Sequence, residues 1–513
     1  MVLESVNAGV LSILPPILAI ICALFLKEIL SSLLIGIFAG TLIYSCFSGL
    51  NFMYSIKLIF DFIIENLANN ADVLVFTSLL GAISQIMIDA GVASGYTKWS
   101  EKRIKNKKSA QLSSMLLSLI CSIDDTFLCL TVGNVMRPII DKNKISRARF
   151  AYILDMMASP MVVLMPISSW AAAIVSCMNT AGISGMQIFL KSIIFNFYAV
   201  FAIFLAILSS ITNKNFGIMK KFEQEAENNN DISADPKTEL ELELEPEKNK
   251  NKSEPNGKIF ELVLPILVLI LGAIFILFDS GGFFSGKSKN FSEIISNANS
   301  SLALNFGSLF SILISLILFV PKKLKFSKFM DSVCEGIKSV TFINVMLVLA
   351  WSMTSMCQTC LSTGDYIKNM ISSFNISETF VPAMSFIVSS LLSFAIGSSW
   401  ATFGILIPII ANVASSMNSI ILVLSMSAVL SGCIAGVNCS PVASMGLLAS
   451  AGSGCKHLCH ISSQVPYAIL ISVISAIGFI LAPVIKNIFV LYFILIFIIT
   501  CTYFFISGKK IKF

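Results

Sequence analysis

Long apolar runs dominate this chain. They lie at about 9–26, 29–48, 71–92, 150–177, 187–212, 259–278, 301–320, 341–361, 418–450, 465–485 and 487–507. Each is long enough, or nearly so, to cross a ~30 Å hydrocarbon core as a helix. The runs are continuous and do not alternate residue by residue, which excludes the strand pattern of a membrane β-barrel. Two further segments, 109–137 and 382–414, are apolar but carry breaks near their centres. Residues 213–258 contrast with everything else. The stretch 239–247 reads ELELELEPE, an Asn/Lys-rich stretch follows, and almost nothing there can build a core. This pattern predicts a disordered, charged linker between two halves.

Charge placement turns the list of runs into a topology. Lys98, Lys102, Arg103, Lys105, Lys107 and Lys108 follow the third run, and Arg137, Lys142, Lys144, Arg147 and Arg149 follow segment 109–137. Cytoplasmic loops of membrane proteins collect Lys and Arg, so both clusters belong on the cytoplasmic side. Segment 109–137 then starts and ends on one face. It is predicted to be a re-entrant hairpin with its tip near 122–126. In the second half Lys322, Lys323, Lys325, Lys328 and Lys338 mark a cytoplasmic loop, which makes 382–414 a hairpin entering from outside. Of the 35 Lys and Arg, 29 fall in cytoplasmic segments on this topology. Five fall outside (Lys57, Lys287, Lys289, Lys368 and Lys486), and Lys191 starts a span.

The expected architecture is an all-α polytopic membrane protein with about 11 transmembrane helices plus the two hairpins, N-terminus outside and C-terminus cytoplasmic. It divides into a first inverted repeat at 1–212, the linker at 213–258, a second inverted repeat at 259–485, and an extra helix with a basic tail at 486–513. Each repeat reads as two spans, an amphipathic stretch, a span, a hairpin, a broken span and a span. Two short echoes support the pairing: 123–127 (IDDTF) with 396–400 (IGSSW), and Ser159-Pro160 with Ser440-Pro441. Inverted repeats with broken helices are a transporter layout, with the site near the bilayer midplane.

Composition agrees. The chain has 513 residues, 56% hydrophobic and 12% charged, and the charged share is about half that of a soluble domain. This excludes a soluble enzyme and a disordered chain. The net charge of +6 describes orientation, and no nucleic-acid partner is expected. The 13 cysteines are scattered through apolar runs and do not resemble a disulfide framework. No cleavable leader is expected, and the plasma membrane is the expected location.

Three acidic residues lie inside apolar runs: Asp124, Asp125 and Asp155. A charge at mid-membrane costs at least ~2.5–3.5 kcal/mol, so these are the candidate ion- or proton-binding residues. Two adjacent carboxyls away from water can hold a proton at neutral pH or exchange it for a metal cation. Thr126, Thr131, Ser168, Ser169, Ser398, Ser399, Thr402, Asn438 and Ser440 are the candidate substrate shell. Pro138, Pro160, Pro166, Pro408 and Pro441 free backbone carbonyls for the same purpose.

Three motifs are set aside. Residues 281–288 fit the phosphate-loop spacing GxxxxGK[ST] but sit in a short external loop without the strand that motif needs. Cys455, His457, Cys459 and His460 are read as a short cytoplasmic turn without a second ligand pair. Gly36-x-x-x-Gly40 and Gly432-x-x-x-Gly436 are read as close helix packing.

The stretch from Asp124-Asp125-Thr-Phe through Leu130-Thr131-Val-Gly133 to Arg137-Pro138 resembles the NhaC-type sodium/proton antiporter family. So do Ile145-Ser-Arg147, Ala151-Tyr152-Ile-x-Asp155, Pro166-Ile-Ser168-Ser169-Trp170 and Gly397-Ser-Ser-Trp400-x-Thr402-Phe-Gly404. Cys439-Ser440-Pro441, Gly454-Cys455-x-His457 and Gln464-x-Pro466-Tyr467-Ala468 complete the match in the same order. The resemblance implies exchange of cytoplasmic Na⁺ for external H⁺ by alternating access. The family also has members that move organic acids or amino acids, which gives the alternative of a proton- or sodium-coupled carrier for such a solute. The family pattern places acids ahead of the Cys-Ser-Pro and three residues after the Pro, where this chain has Val437 and Ser444, and often a Thr where it has Met157. Fewer carboxylates weaken Na⁺ coordination or make room for an organic substrate. The expected partners are Na⁺ and H⁺ or a small organic solute, the lipid bilayer, and a second copy in a homodimer. No enzyme activity, cofactor or resident metal is expected.

Overall fold

The computed structural model describes residues 5–26, 28–92, 104, 106–228, 232, 259–286, 298–321, 324–363, 366, 377–415, 417–485 and 487–508. Among them there is no β-strand. Ten described helices are long and apolar enough to cross a membrane, or eleven if one bent pair counts as a span.

The first part holds α1 (Leu14–Leu26, after a 3-10 turn at Gly9–Ile13), α2 (Ile29–Phe47), α3 (Phe52–Asn69) and α4 (Ala71–Asp89). Then come α5 (Lys107–Ile120), α6 (Asp125–Lys142), α7 (Arg147–Leu164), α8 (Ser169–Thr180), α9 (Gly185–Ile193), α10 (Phe197–Thr212) and α11 (Gly217–Asn228). The second part holds α12 (Ile259–Ser280), α13 (Ser300–Phe319), α14 (Phe326–Thr359), α15 (Val381–Ile396) and α16 (Ser399–Ala414). It ends with α17 (Ser419–Cys439), α18 (Ser444–Ser453), α19 (His457–Leu481) and α20 (Ile488–Gly508).

Small polar residues start many of these helices by accepting hydrogen bonds from first-turn amides. Asn51 does so for α3, Asn106 for α5, Ser146 for α7, Asn196 for α10 and Asn418 for α17. Each cap satisfies an amide that would otherwise go unpaired in an apolar setting.

The two segments expected to form hairpins are each a helix pair. Residues 121–124 join α5 to α6, and Gly397 and Ser398 join α15 to α16. The two segments expected to be broken spans are also helix pairs, each interrupted by a four-residue break. α7 and α8 meet at an angle of 47°. The breaks at 165–168 and 440–443 are the same length.

Several boundaries differ from expectation. The run 187–212 is two helices, because Asn196 caps a fresh start at α10. The run 341–361 is the second half of the 34-residue α14, continuous with the amphipathic stretch before it. The run 465–485 begins at His457. The first run is a short helix rather than a full-length one.

The segment expected to be disordered begins with a helix. In α11, Met219, Phe222 and Ala226 are buried, and Phe216 stacks on Tyr467 with ring centres 3.9 Å apart. Lys107 Nζ lies 2.8 Å from Glu227 and 3.7 Å from Glu223, and the Ser146 amide donates to Glu223 Oε1 at 2.8 Å. The hydrophobic face and these partners order the helix, which the acidic composition beyond it concealed. The linker residues beyond Asn228, except Ile232, lie outside the described residues. So do Lys98, Lys102, Arg103, Lys105 and the Lys287-Ser288 end of the phosphate-loop-like stretch.

The two parts interlock at the breaks. α6 packs on α18, where a Cβ on Gly133 would lie 2.6 Å from Gly452 Cα, so only glycine permits this approach. α16 packs on α8 through Trp170, whose ring lies 5.9 Å from Trp400 and 5.6 Å from Phe403. α17 packs along α15, and Gly432 and Gly436 sit on that contact as their spacing suggested.

Candidate functional site

Each hairpin turn is tied to the broken span of its own part by one backbone hydrogen bond. The Ser169 amide donates to Ile123 O at 3.0 Å, and the Ser444 amide donates to Gly397 O at 3.4 Å. The N-caps supply the same correspondence. Asp124 caps α6 by accepting from the Phe127 amide, and Ser398 caps α16 by accepting from the Ala401 amide.

Asp124 therefore matches Ser398, one residue away from the register that the sequence echo suggested. The two breaks also correct the other echo. Met165 and Ser440 both end a helix by donating to a carbonyl three residues back, which aligns Pro166 with Pro441. Pro160 lies inside α7.

These turns and breaks converge on a cavity of about 520 Å³. Asp124, Asp125, Thr126, Ser169, Ser398 and Ser399 line it, as do Val437 and Ser444. It runs along α4 and α14 past Thr77, Ser84, Gln85 and Ser339 to Ile88 in the last turn of α4.

Asp124 starts α6. One of its oxygens accepts from the Phe127 amide at 2.9 Å, and the other accepts from Ser169 Oγ at 3.1 Å. Asp125 is buried. Its Oδ1 accepts from the Thr126 amide at 3.0 Å, and its Oδ2 accepts from Trp170 Nε1 at 3.1 Å and Ser159 Oγ at 3.3 Å. Both carboxyls stand at the N-terminus of α6, where the helix dipole favours negative charge. The pair is thus held by donors from α6, α7 and α8 while facing open space. That arrangement can take up a cation from water or a proton in its place.

The other candidates do not line the cavity. Ser168 closes the first break: its Oγ donates to Val162 O and Met165 O and accepts from the Ala171 amide. Thr402 Oγ1 donates to Ser398 O within α16. Ser440 Oγ accepts from the Val442 amide at 3.4 Å, so its role is local. Thr131 is buried in α6, and its hydroxyl has no hydrogen-bond partner among the described residues. Ser168 and Ser440 shape the breaks, Thr131 and Thr402 lie within helices, and none of the four lines the cavity. The periodicity of a Ser or Thr in an apolar run carries no signal that separates the two roles.

Asp155 and Asn438 sit in a second cluster. Gln464 Nε2 donates to Asp155 Oδ2 and, at 3.0 Å, to Asn438 O. His460 Nε2 lies 2.9 Å from Gln464 Oε1 and 3.8 Å from Asp155 Oδ2. His460 is fully buried on the first turn of α19. The sequence reading placed His457 and His460 in a surface turn, but the turn is only 454–456. A usable signal was present: His460 and Gln464 are four residues apart on one helix face, ahead of an apolar run. Gln85, Trp400 and Thr77 of the cavity wall were also missed.

Residues 161–484 match the model of the Na⁺/H⁺ antiporter family. A protein of Haemophilus influenzae described as uncharacterized is 31% identical over 488 residues, covering 92% of this chain and 91% of its own. Among solved structures, the Alcanivorax borkumensis YdaH transporter is similar over 83% of this chain and 88% of its own, at 12% identity and a TM-score of 0.49. Neisseria gonorrhoeae MtrF, described as illuminating a class of antimetabolite efflux pumps, is similar over 83% and 84% at 12% identity and a TM-score of 0.45. The match to the family model spans the first break, both elements of the second hairpin and the second break. The chain is a multi-pass membrane transporter and belongs to the Na⁺/H⁺ antiporter family.

Proposed function

We propose that the chain exchanges cytoplasmic Na⁺ for external H⁺, with Asp124 and Asp125 holding the cation and Asp155 carrying a proton. The observation that carries this reading is the carboxyl pair at the N-terminus of α6, Asp125 buried and Asp124 half-buried, held by Ser169, Ser159 and Trp170 and facing the cavity. The cavity reaches the last turn of α4, beside the basic segment assigned to the cytoplasm, which supports a cytoplasm-facing state. Alternating access then requires that space to close and its mirror image between the two parts to open. The two hairpins, each tied to a break, are the elements that would rock.

One observation favours a second reading. A cavity of about 520 Å³ is far larger than one Na⁺ needs, and Val437 and Ser444 stand on its wall where the family pattern has acids. A cation-coupled carrier of an amino or organic acid fits that wall.

The test uses proteoliposomes containing a pH-sensitive dye. They are challenged in turn with Na⁺, Li⁺, K⁺ and a panel of amino and organic acids. Na⁺-dependent proton movement in the wild type, lost in Asp124→Asn and Asp125→Asn, supports the antiporter. Proton or Na⁺ movement only with one organic solute supports the carrier. Full Na⁺-driven flux in both Asn variants overturns the assigned site.

A further inference from the structure

The chain has only two histidines among its 513 residues, and both lie on one hydrogen-bonded path that ends at Asp155. Starting from the buried end, two acceptors, Asp155 Oδ2 and Asn438 O, face Gln464 Nε2. They fix the amide orientation and turn Gln464 Oε1 toward His460 Nε2. That nitrogen therefore carries a proton. The opposite ring nitrogen, Nδ1, lies 2.9 Å from Ser450 Oγ and 3.2 Å from Gly446 O. Ser450 Oγ also lies 3.3 Å from His457 Nδ1. The far nitrogen of His457, Nε2, lies 2.7 Å from Pro441 O, an acceptor, so it too carries a proton. His457 is partly exposed, and His460 is not.

One serine hydroxyl thus stands between two imidazole nitrogens that both present lone pairs. The hydroxyl has one proton and three acceptors around it: Gly446 O at 2.6 Å, to which it donates within its own helix, and the two imidazole nitrogens, which it reaches by turning from that carbonyl. Gly446 O adds an acceptor beside His460 Nδ1, so the shell suits His460 with or without a proton there.

We propose that His457, Ser450 and His460 form a proton relay that loads and unloads Asp155, with Gln464 as a positioning residue. The inference rests on the proton-coupled reading above. In the loading direction a proton arrives on His457 Nδ1. Ser450 takes that proton and passes its own hydroxyl proton to His460 Nδ1. His460 releases its Nε2 proton to Asp155 Oδ2, once the 3.8 Å gap closes to the usual ~3 Å. The net change is one proton moved from His457 to Asp155. His460 is left protonated on Nδ1, which Gly446 O accepts. Unloading is the reverse.

The titratable groups facing the path from neighbouring elements are Cys129 on α6, Tyr198 on α10 and Cys439 on α17, all close enough to feel the charge of Asp155. Arg147 reaches the loop above it, where Nη1 donates to Gly454 O.

Two measurements test the relay on the full chain. The first is ¹⁵N spectroscopy of histidine-labelled protein in lipid nanodiscs, where only two imidazoles report. Asp155→Asn is expected to move the signals of both. Adding Ser450→Ala is expected to leave the His460 response and abolish that of His457. Unchanged imidazole signals in Asp155→Asn overturn the relay, whatever solute is carried. The second is transport kinetics. His460→Gln and Ser450→Ala are expected to lower kcat for proton-coupled flux at least tenfold with KM for Na⁺ held within twofold. An unchanged kcat, or kcat and KM shifting together, overturns it. Absence of any Na⁺-driven proton flux in the wild type would instead sink the antiporter reading and leave the spectroscopy to judge the relay.

Discussion

Asp125 keeps its carboxyl in an apolar interior because three donors face its two oxygens, two of them, Ser159 Oγ and the Trp170 indole, supplied by the two halves of the broken span. A hydrogen bond to an ionised group contributes about 1.5–3 kcal/mol, more than a factor of ten in an equilibrium. Trp170→Phe keeps the ring and removes the donor. The expected outcome is at least a tenfold rise in the Na⁺ concentration giving half-maximal dye response, since the ionised pair is what binds the cation. The same scale governs Val437 and Ser444. Both are on the cavity wall, so Val437→Asp or Ser444→Asp adds an oxygen ligand where the family pattern has one. Selectivity in the solute panel is expected to move toward Na⁺ and away from any organic solute. A panel response identical to the wild type would separate these positions from substrate choice. The three intramembrane acids were legible in the sequence because charge in an apolar run is rare. Which oxygens face the cavity was not legible, since that depends on donors 34 and 45 residues away in the chain.

At the scale of elements, the turn of the second hairpin depends on Gly397. Its φ is +74°, and a Cβ there would lie 2.8 Å from Val442 O in the second break. The left-handed conformation alone costs an L-residue about 1–2 kcal/mol. Gly397→Ala is therefore expected to lower the melting temperature in detergent and to reduce flux, because the turn and the break it is tied to shift together. A variant with wild-type melting and flux would show that the hairpin tip tolerates movement. Both hairpins and both breaks were readable in advance from basic clusters, prolines and interrupted apolar runs. Their register was not. Short echoes such as IDDTF and IGSSW align in more than one way, and only the caps and the two carbonyl contacts at Ile123 and Gly397 select one. The helix α11 was misread for a related reason. Its acidic surroundings resembled the linker, while its four buried residues find partners on α5, α7 and α19, far away in the chain.

For the whole molecule, the cavity between α4, α14, the first hairpin and both breaks defines which face is open. A cysteine at Ser339, introduced into a background without the exposed native Cys46, Cys334 and Cys501, lies on its wall. It is expected to react with a membrane-impermeant maleimide from the cytoplasmic side, more slowly with saturating substrate. Labelling from the opposite side would reverse the proposed topology. The sequence by itself determined the membrane class, the helical architecture, the order of helix pairs and breaks, and the three candidate acids. These follow from hydropathy, charge and proline, which act locally and along the chain. The tertiary structure alone decided that Asp124 and Asp125 face the cavity while Asp155 turns toward Gln464 and two histidines. It also decided that Ser168 and Ser440 shape the breaks and that Thr131 and Thr402 lie away from the cavity. Those outcomes depend on which helix faces bury one another. In a chain whose helices are apolar on nearly every side, hydropathy does not specify that choice; close glycine contacts and a few hydrogen bonds do.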